Sequence, residues 1–89
     1  MNHNALIINP KDNVAVVLED IKIGDIVTLP DGRQFPSLTE IPYGHKMAIA
    51  DLKQGESVIK YGESIGELKS DAKKGEWIHI HNVVIEEEI

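Results

Sequence analysis

The chain has 89 residues, no cysteine and a formal net charge of −6 at pH 7. This length predicts a single domain over residues 1–89, and a chain without cysteine has no disulfide framework, as expected of a cytoplasmic protein. The negative charge, with one arginine, argues against nucleic-acid binding, and no apolar run approaches the roughly 20 residues that cross a bilayer.

Short segments rich in Val and Ile, separated by Asn, Asp, Gly and Pro, predict an all-β domain. The predicted strands are Ala5–Ile8, Val14–Val17, Asp25–Leu29, Gln34–Leu38, Met47–Ala50, Ser57–Ile59, Ser64–Leu68, Trp77–His81 and Val83–Ile85. Asp31 and Gly32 form the centre of a predicted hairpin turn. Thr39–Tyr43 and Ser70–Lys74 are each predicted to form a single helical turn. No apolar stripe with helical spacing is long enough to predict a longer helix.

One pattern recurs along the chain: an apolar residue, two further residues, a glycine, and then an apolar run. Its glycines are Gly24, Gly44, Gly55 and Gly75, with spacings of 20, 11 and 20 residues. Because glycine adopts positive φ without steric cost, each copy predicts a tight turn that leads into a strand. The symmetric spacing predicts two similar halves, one from Gly24 to Gly44 and one from Gly55 to Gly75.

A polar cluster lies near the end of the chain. Strand alternation predicts that Ile78 and Ile80 point into the core, while Trp77, His79 and His81 share the opposite face. The strand rise places the two histidines about 7 Å apart. Two such imidazoles can ligate one metal, or one can orient a substrate while the other transfers a proton. The alternative is a pair of exposed histidines on an edge strand.

Two further clusters carry cationic side chains. A rigid turn presents His45 and Lys46, and a lysine beside a histidine suits a carboxylate and an enolate-like charge; alternatively, Lys46 extends into solvent and His45 fills a turn. Lys60 is predicted to point away from the core, and Tyr61 to be a partly buried packing residue with a wet hydroxyl. Asn82 offers a donor and an acceptor at the end of its strand, or forms a turn.

These clusters occur in the same order in one known family. The matching segments are Asp12–Val16, Gly44–Ala48, Val58–Gly62, Ile65–Gly66 and His79–Asn82. From about Ile7 to Asn82 the chain resembles the amino-terminal SAF domain of altronate and galactarate dehydratases. The resemblance implies a compact β-clip fold with many short strands and tight turns, which agrees with the all-β prediction.

The resemblance also implies an activity: a hydro-lyase that removes water from a hexonate or hexarate to give a 2-keto-3-deoxy acid. In many members the SAF domain is joined to a much larger catalytic domain, whereas this chain stops just after the His79–Asn82 segment. It is therefore expected to be a separate small subunit, inactive alone, whose partners are a large catalytic dehydratase subunit and the sugar acid; self-association of the isolated chain stays open. Alternatives are the small subunit of a sulfolactate sulfo-lyase, which expels sulfite, and a non-catalytic β-clip binding or interaction module.

Removal of a weakly acidic α-proton needs a cation or a metal beside the developing enediolate. The implied cofactor is Fe(II) or another divalent metal, held mainly by the large subunit, with His79 or His81 as candidate ligands. The expected catalytic residues are His45, His79 and His81, and the expected substrate-binding residues are Lys46, Lys60, Tyr61 and Asn82. These assignments require the three histidines to meet on one exposed face.

Overall fold

The computed structural model describes residues 3–79 and 81–85, and all of the regular secondary structure within these ranges is β-strand. The strands are β1 (Ala5–Leu6), β2 (Val14–Val17), β3 (Ile26–Thr28), β4 (Gln34–Pro36), β5 (Lys46–Ala48), β6 (Ser57–Lys60), β7 (Glu63–Leu68), β8 (Trp77–Ile78) and β9 (Val83–Ile85). Each overlaps a predicted strand, so the all-β prediction is confirmed. The described residues contain no helix that is long and apolar enough to cross a membrane.

The strands form three small antiparallel sheets with the orders β1-β2-β5-β8, β3-β4 and β6-β7-β9. In the four-stranded sheet β5 lies between β2 and β8. Lys46 of β5 is therefore opposite Val16 on one side and Ile78 on the other. This register brings the turn before β5 next to the chain that follows β8, although more than 30 residues separate them in sequence.

Two apolar clusters pack on the two faces of this sheet. Met47 belongs to one cluster and its neighbour Ala48 to the other, and both are fully buried. Ala15 and Val14 of the adjacent strand divide in the same way. Because successive strand residues face opposite sides, this sheet buries apolar side chains on both faces. The polar clusters lie at the ends of β5 and β8, next to this buried sheet.

The four glycine turns associate in two pairs. An antiparallel bridge joins Ile21 to Ile41, and another joins Leu52 to Ala72. The four turn glycines all have positive φ: Gly24 (88°), Gly44 (83°), Gly55 (87°) and Gly75 (93°). The pairing of the first turn with the second, and of the third with the fourth, agrees with the two similar halves predicted from the spacing.

Two local predictions are wrong. Thr39–Tyr43 and Ser70–Lys74 do not form helical turns, because Ile41 and Ala72 in these segments use their amide and carbonyl groups in bridges to another loop. Strand β8 ends at Ile78 and not at His81, because a turn closes between the carbonyl of His79 and the amide of Asn82 at 3.0 Å. Ile80, which was predicted to point into the core, lies outside the described residues.

Candidate functional site

Three histidines gather around the indole ring of Trp77. The ring centroids of His79 and His81 lie 5.3 Å and 5.0 Å from that of Trp77, and the centroid of His45 lies 5.6 Å from it. The centroids of His45 and His79 are 4.7 Å apart. The histidines predicted to converge therefore do so. We call Trp77, His45, His79 and His81 the imidazole cluster.

The turn before β5 can present a histidine because its chemistry differs from that of the other three turns. In those turns a carboxylate accepts the amide N–H of the residue three positions earlier; the pairs are Asp25 with Lys22, Glu56 with Lys53 and Glu76 with Lys73, at 2.9, 2.6 and 3.0 Å. The corresponding positions in this turn hold His45 and Pro42. Because proline has no N–H to satisfy, the later position does not need a carboxylate. His45 is therefore available to the cluster.

Trp77 orders this cluster. Its indole N–H donates a hydrogen bond to Nδ1 of His45 at 3.2 Å, and its ring stacks on that of His79 with an interplanar angle of 8°. Its amide N–H donates to Oγ1 of Thr39 at 3.0 Å. The sequence placed Trp77 on the histidine face but assigned it no role. The usable signal was strand alternation, which put an indole beside both imidazoles.

Asn82 holds the loop that carries two of the histidines. It is 5% exposed; its Oδ1 accepts the amide N–H of His79 at 2.9 Å, and its Nδ2 donates to the carbonyl of Trp77 at 2.8 Å. Its donor and its acceptor are therefore committed to the backbone. Asn82 thus makes the turn-forming contacts that the sequence offered as its alternative role, whereas substrate binding by Asn82 stays a prediction.

Lys46 and Lys60 add positive charge to this part of the surface. Lys46 is half-buried at the start of β5, and burial, followed by the charge of Lys60, lowers its pKa. The charge of Lys46 also acts on His79. The two ammonium groups are thus close to each other, and one is close to the imidazole cluster. We call the imidazole cluster together with Lys46 and Lys60 the cationic face.

Two polar side chains of the loop before β2 hold the turn that carries Lys60. Asn13 accepts the amide N–H of Ile59 and donates to the carbonyl of Ser57, at 2.8 and 2.9 Å. Buried Asp12 accepts the amide N–H of Gly62 at 2.8 Å. These contacts lie beside a register shift in the pairing of β6 with β7. They fix the backbone on both sides of Lys60.

Tyr61 differs from its prediction. It is 61% exposed and has a φ of 58°, so it is not a partly buried packing residue. The left-handed backbone at this position turns the ring outward, and Nζ of Lys60 lies 5.0 Å from the ring centroid. A cation at this distance is attracted by the face of an aromatic ring. Tyr61 is accessible to a ligand or to another chain.

The environment of His79 favours its neutral form. Burial, followed by the charges of His45, Lys46 and His81, lowers the pKa of His79 below its ordinary value of 6.5. At pH 7 this imidazole is therefore uncharged and keeps a lone pair. A neutral imidazole beside cations can accept a proton from a carbon acid whose conjugate base the same cations stabilise.

A metal centre does not assemble from the described residues alone. Within 3–79 and 81–85, no three or more His, Cys, Asp and Glu side chains are grouped so that they could hold a metal ion. His79 and His81 can supply at most part of a coordination sphere. The donor set of the described residues does not fit a complete divalent-metal site.

The cationic face adjoins a hollow of different character. The hollow has a volume of about 310 Å³, and Trp77 forms part of its wall. Its other walls are Asp20, Ile21, Lys22, Glu40, Ile41 and Pro42. The three histidines are not among its lining residues. An anionic ligand at the cationic face would therefore lie outside this hollow, on a surface that a second chain could cover.

Comparison with known proteins identifies the family. The model of the altronate/galactarate dehydratase SAF domain matches residues 3–86. The chain belongs to this family. The SAF domain is 41% identical over 73 residues to the (2R)-sulfolactate sulfo-lyase subunit alpha of Chromohalobacter salexigens, covering 76% of this chain and 78% of that protein. The resemblance inferred from the polar clusters is thereby confirmed.

Two dehydratases show a different length relationship. The SAF domain is 37% identical over 75 residues to the altronate dehydratase of Bacillus subtilis, and 34% identical over 80 residues to the galactarate dehydratase (L-threo-forming) of Escherichia coli. These matches cover 84% and 90% of this chain but 15% of each dehydratase. The SAF domain thus spans a small part of these enzymes. All three relatives are lyases by name, so the family is of the lyase type.

Proposed function

We propose that this chain is the small subunit of a sugar-acid hydro-lyase of the altronate or galactarate type, and that it lends its cationic face to the active site of a larger catalytic subunit. One observation carries the proposal. Three imidazoles gather around Trp77, the charge of Lys46 acts on one of them, and the charge of Lys60 acts on Lys46, in a chain whose net charge is −6. Such a local concentration of cationic and donor groups suits an anionic substrate.

The reaction fits the groups that the face provides. A base removes the proton at C2, next to the carboxylate, and the electron pair enters an enediolate. The enediolate then expels hydroxide from C3, which leaves as water after it takes a proton from an acid. The resulting enol rearranges to the 2-keto-3-deoxy acid. Lys46 and Lys60 bind the carboxylate and stabilise its added charge, while the imidazoles of His45, His79 and His81 provide hydrogen bonds and proton transfer.

The proposal requires a larger partner. The matched dehydratases have most of their length outside the SAF domain. In this chain Tyr43 and Tyr61 are 68% and 61% exposed, and they lie in the turns that carry His45 and Lys60. Exposed aromatic side chains are enriched at protein interfaces. A partner that packs on these tyrosines would cover the cationic face, exclude water and bring the Fe(II) or other divalent metal with its own ligands.

A second candidate is the small subunit of a sulfolactate sulfo-lyase. It is favoured by the relative from Chromohalobacter salexigens, because the match covers 78% of that subunit and only 15% of each dehydratase. The first step is the same removal of a proton next to a carboxylate, and sulfite then leaves in place of hydroxide. Lys46 and Lys60 would serve a sulfonate as well as a carboxylate, because both groups present anionic oxygens.

The first test uses the chain alone. Titration of the ¹⁵N-labelled protein with altronate, galactarate and sulfolactate, followed by NMR, should shift the signals of His45, Lys46, Lys60, His79 and His81. The uncharged sugar alcohol galactitol is the control and should leave these signals in place. If none of the three acids shifts them, the cationic face does not bind the substrate and the proposal fails.

The second test uses the assembled enzyme. The chain is co-purified with its large partner and assayed with the same three acids, for the keto product and for released sulfite. The proposal expects keto-acid formation without sulfite, no turnover by the small chain alone, and a loss of at least about tenfold in kcat for His81→Ala. Release of sulfite would transfer the assignment to the second candidate. Turnover by the isolated chain would contradict the subunit role.

A further inference from the structure

The indole of Trp77 determines which nitrogen of His45 can carry a proton. Its N–H donates to Nδ1 of His45 at 3.2 Å, so Nδ1 must offer a lone pair. A neutral imidazole has one N–H and one lone pair. With Nδ1 as the acceptor, the proton lies on Nε2, and the outward nitrogen of His45 is a hydrogen-bond donor.

We propose that Trp77 is a positioning residue that holds His45 in its Nε2–H tautomer, so that His45 donates a hydrogen bond to an anionic oxygen of the substrate and does not remove the proton. The nature of the substrate rests on the proposed function, whereas the tautomer does not. The sequence indicated His45 as a catalytic residue and left open whether it acts as base or as acid. The hydrogen bond from Trp77 separates these roles, because a base would need its lone pair on Nε2.

The indole is held on several sides, so the hydrogen bond is a fixed feature. Strand pairing places Trp77 opposite Met47, two residues after His45. The backbone of Trp77 donates to Thr39 and accepts from Asn82, at 3.0 and 2.8 Å. The indole ring also stacks on His79 at an interplanar angle of 8°. An indole fixed in this way presents its N–H in one direction.

The positioning role divides the work among the imidazoles. His45 donates from Nε2 to the carboxylate oxygen that gains charge as the enediolate forms, and it keeps its own proton. The proton from C2 must then move to a nitrogen with a free lone pair on His79 or His81. His79 is suited to this step by its position, because its ring lies beside that of His45 and stacks on Trp77. Donor and acceptor are thus separate rings whose centroids lie 4.7 Å apart for His45 and His79.

The direct test reads the tautomer. Long-range ¹H–¹⁵N correlation of the histidine-labelled chain at pH 7.5 should show a protonated Nε2 and an unprotonated Nδ1 for His45. Trp77→Phe keeps an aromatic ring but removes the donor, so the His45 signals should move toward a mixture of both tautomers. Tyr43→Phe, which alters an exposed ring next to the same turn, is the matched control and should leave them unchanged. A protonated Nδ1 in the wild type, or unchanged signals in Trp77→Phe, would overturn the proposal.

A second pair of variants tests the donor role without altering Trp77. The side chain of His45→Gln still carries an N–H donor, whereas that of His45→Ala has none. Galactarate binding, followed by NMR, should weaken about tenfold in His45→Ala and stay within about threefold of the wild type in His45→Gln. Unchanged affinity in His45→Ala would overturn the donor role. If Trp77→Phe does not fold, the wild-type tautomer and this pair decide the question.

The two proposals can fail separately. If the wild-type tautomer and its change in Trp77→Phe are observed, but the assembled enzyme converts none of the three acids, the proposed function is wrong and the effect of Trp77 on His45 stands. If the enzyme converts an acid but His45 carries its proton on Nδ1, the positioning role is wrong and the lyase assignment stands.

Discussion

Replacement of Asn82 by alanine tests the role that the structure gives this residue. Asn82 was expected to bind substrate, yet its amide makes two hydrogen bonds to the backbone on either side of the histidine loop, at 2.9 and 2.8 Å. Alanine would leave the amide of His79 and the carbonyl of Trp77 without these partners. Since Asn82 is 5% exposed, water cannot readily take its place.

The expected loss follows from the two bonds. A typical buried hydrogen bond contributes about 0.5–1.5 kcal/mol to the free energy of unfolding, so Asn82→Ala should cost about 1–3 kcal/mol. For a domain of this size each kcal/mol lowers Tm by about 4–8 °C, so a cost of about 2 kcal/mol should lower Tm by about 8–16 °C. Weaker galactarate binding should accompany the loss, because the loop presents His79 and His81.

Thermal unfolding followed by circular dichroism measures the shift, with urea unfolding as a second measurement. Gln54→Ala removes an amide from an exposed turn and is the matched control, expected to change Tm little. If Asn82→Ala leaves Tm within about 2 °C of the wild type while galactarate binding falls, Asn82 contacts the ligand and the reasoning from its burial is refuted.

Three further predictions concern backbone fit and charge. Gly75→Ala should destabilise the chain by about 1–3 kcal/mol more than Gly55→Ala in urea unfolding, because both have positive φ but only at Gly75 would a Cβ meet a backbone atom, the carbonyl oxygen of Pro36, at 2.6 Å. Lys46→Met should keep or raise Tm, because burial and a nearby cation disfavour the charged form of Lys46 and lower its pKa. The same variant should bind galactarate about tenfold more weakly, because it lacks the ammonium group. Because folding lowers the pKa of His79, the unfolded chain binds a proton that the folded chain does not. The free energy of unfolding should therefore fall as pH drops from about 6.5 to the folded-state pKa. His79→Gln should reduce this dependence on pH, measured by urea unfolding.

Each of these has a clear contrary result. Equal losses in Gly75→Ala and Gly55→Ala would mean that the fourth turn has room for a side chain. A lower Tm with unchanged galactarate affinity in Lys46→Met would make this lysine structural. If the free energy of unfolding depends on pH in the same way in His79→Gln and in the wild type, folding does not lower the pKa of His79.

The sequence predicted the strands well and the ends of the elements less well. Val and Ile runs between glycine turns identify strands because they fit a pleated sheet that is buried on at least one face. The false helical turn around Ile41 arose because a bridge to another loop cannot be read from local sequence. The strand through His81 was predicted too long for a similar reason, since the amide of Asn82 closes a turn that alternation does not reveal.

The site was predicted in its members but not in its organisation. Alternation placed His79 and His81 on one face, and the roles implied by the family resemblance required His45 to join them; the three rings do meet. The hydrogen bond from Trp77 to His45 depends on the pairing of β5 with β8, a contact between distant parts of the chain. The exposure of Tyr61 depends on a left-handed backbone conformation that a non-glycine residue seldom adopts. Neither feature can be deduced from the local sequence.

The turn that begins at Pro42 suggests how a new side chain can be introduced into another of the four glycine turns. The carboxylate of Glu56 accepts the amide N–H of Lys53, so replacing Glu56 alone by histidine would leave this amide without its hydrogen-bond partner. If proline also replaces Lys53, residue 53 has no amide N–H and no carboxylate is needed at position 56. The paired change Lys53→Pro and Glu56→His should therefore place an imidazole in the other half of the molecule, in the arrangement that Pro42 and His45 have.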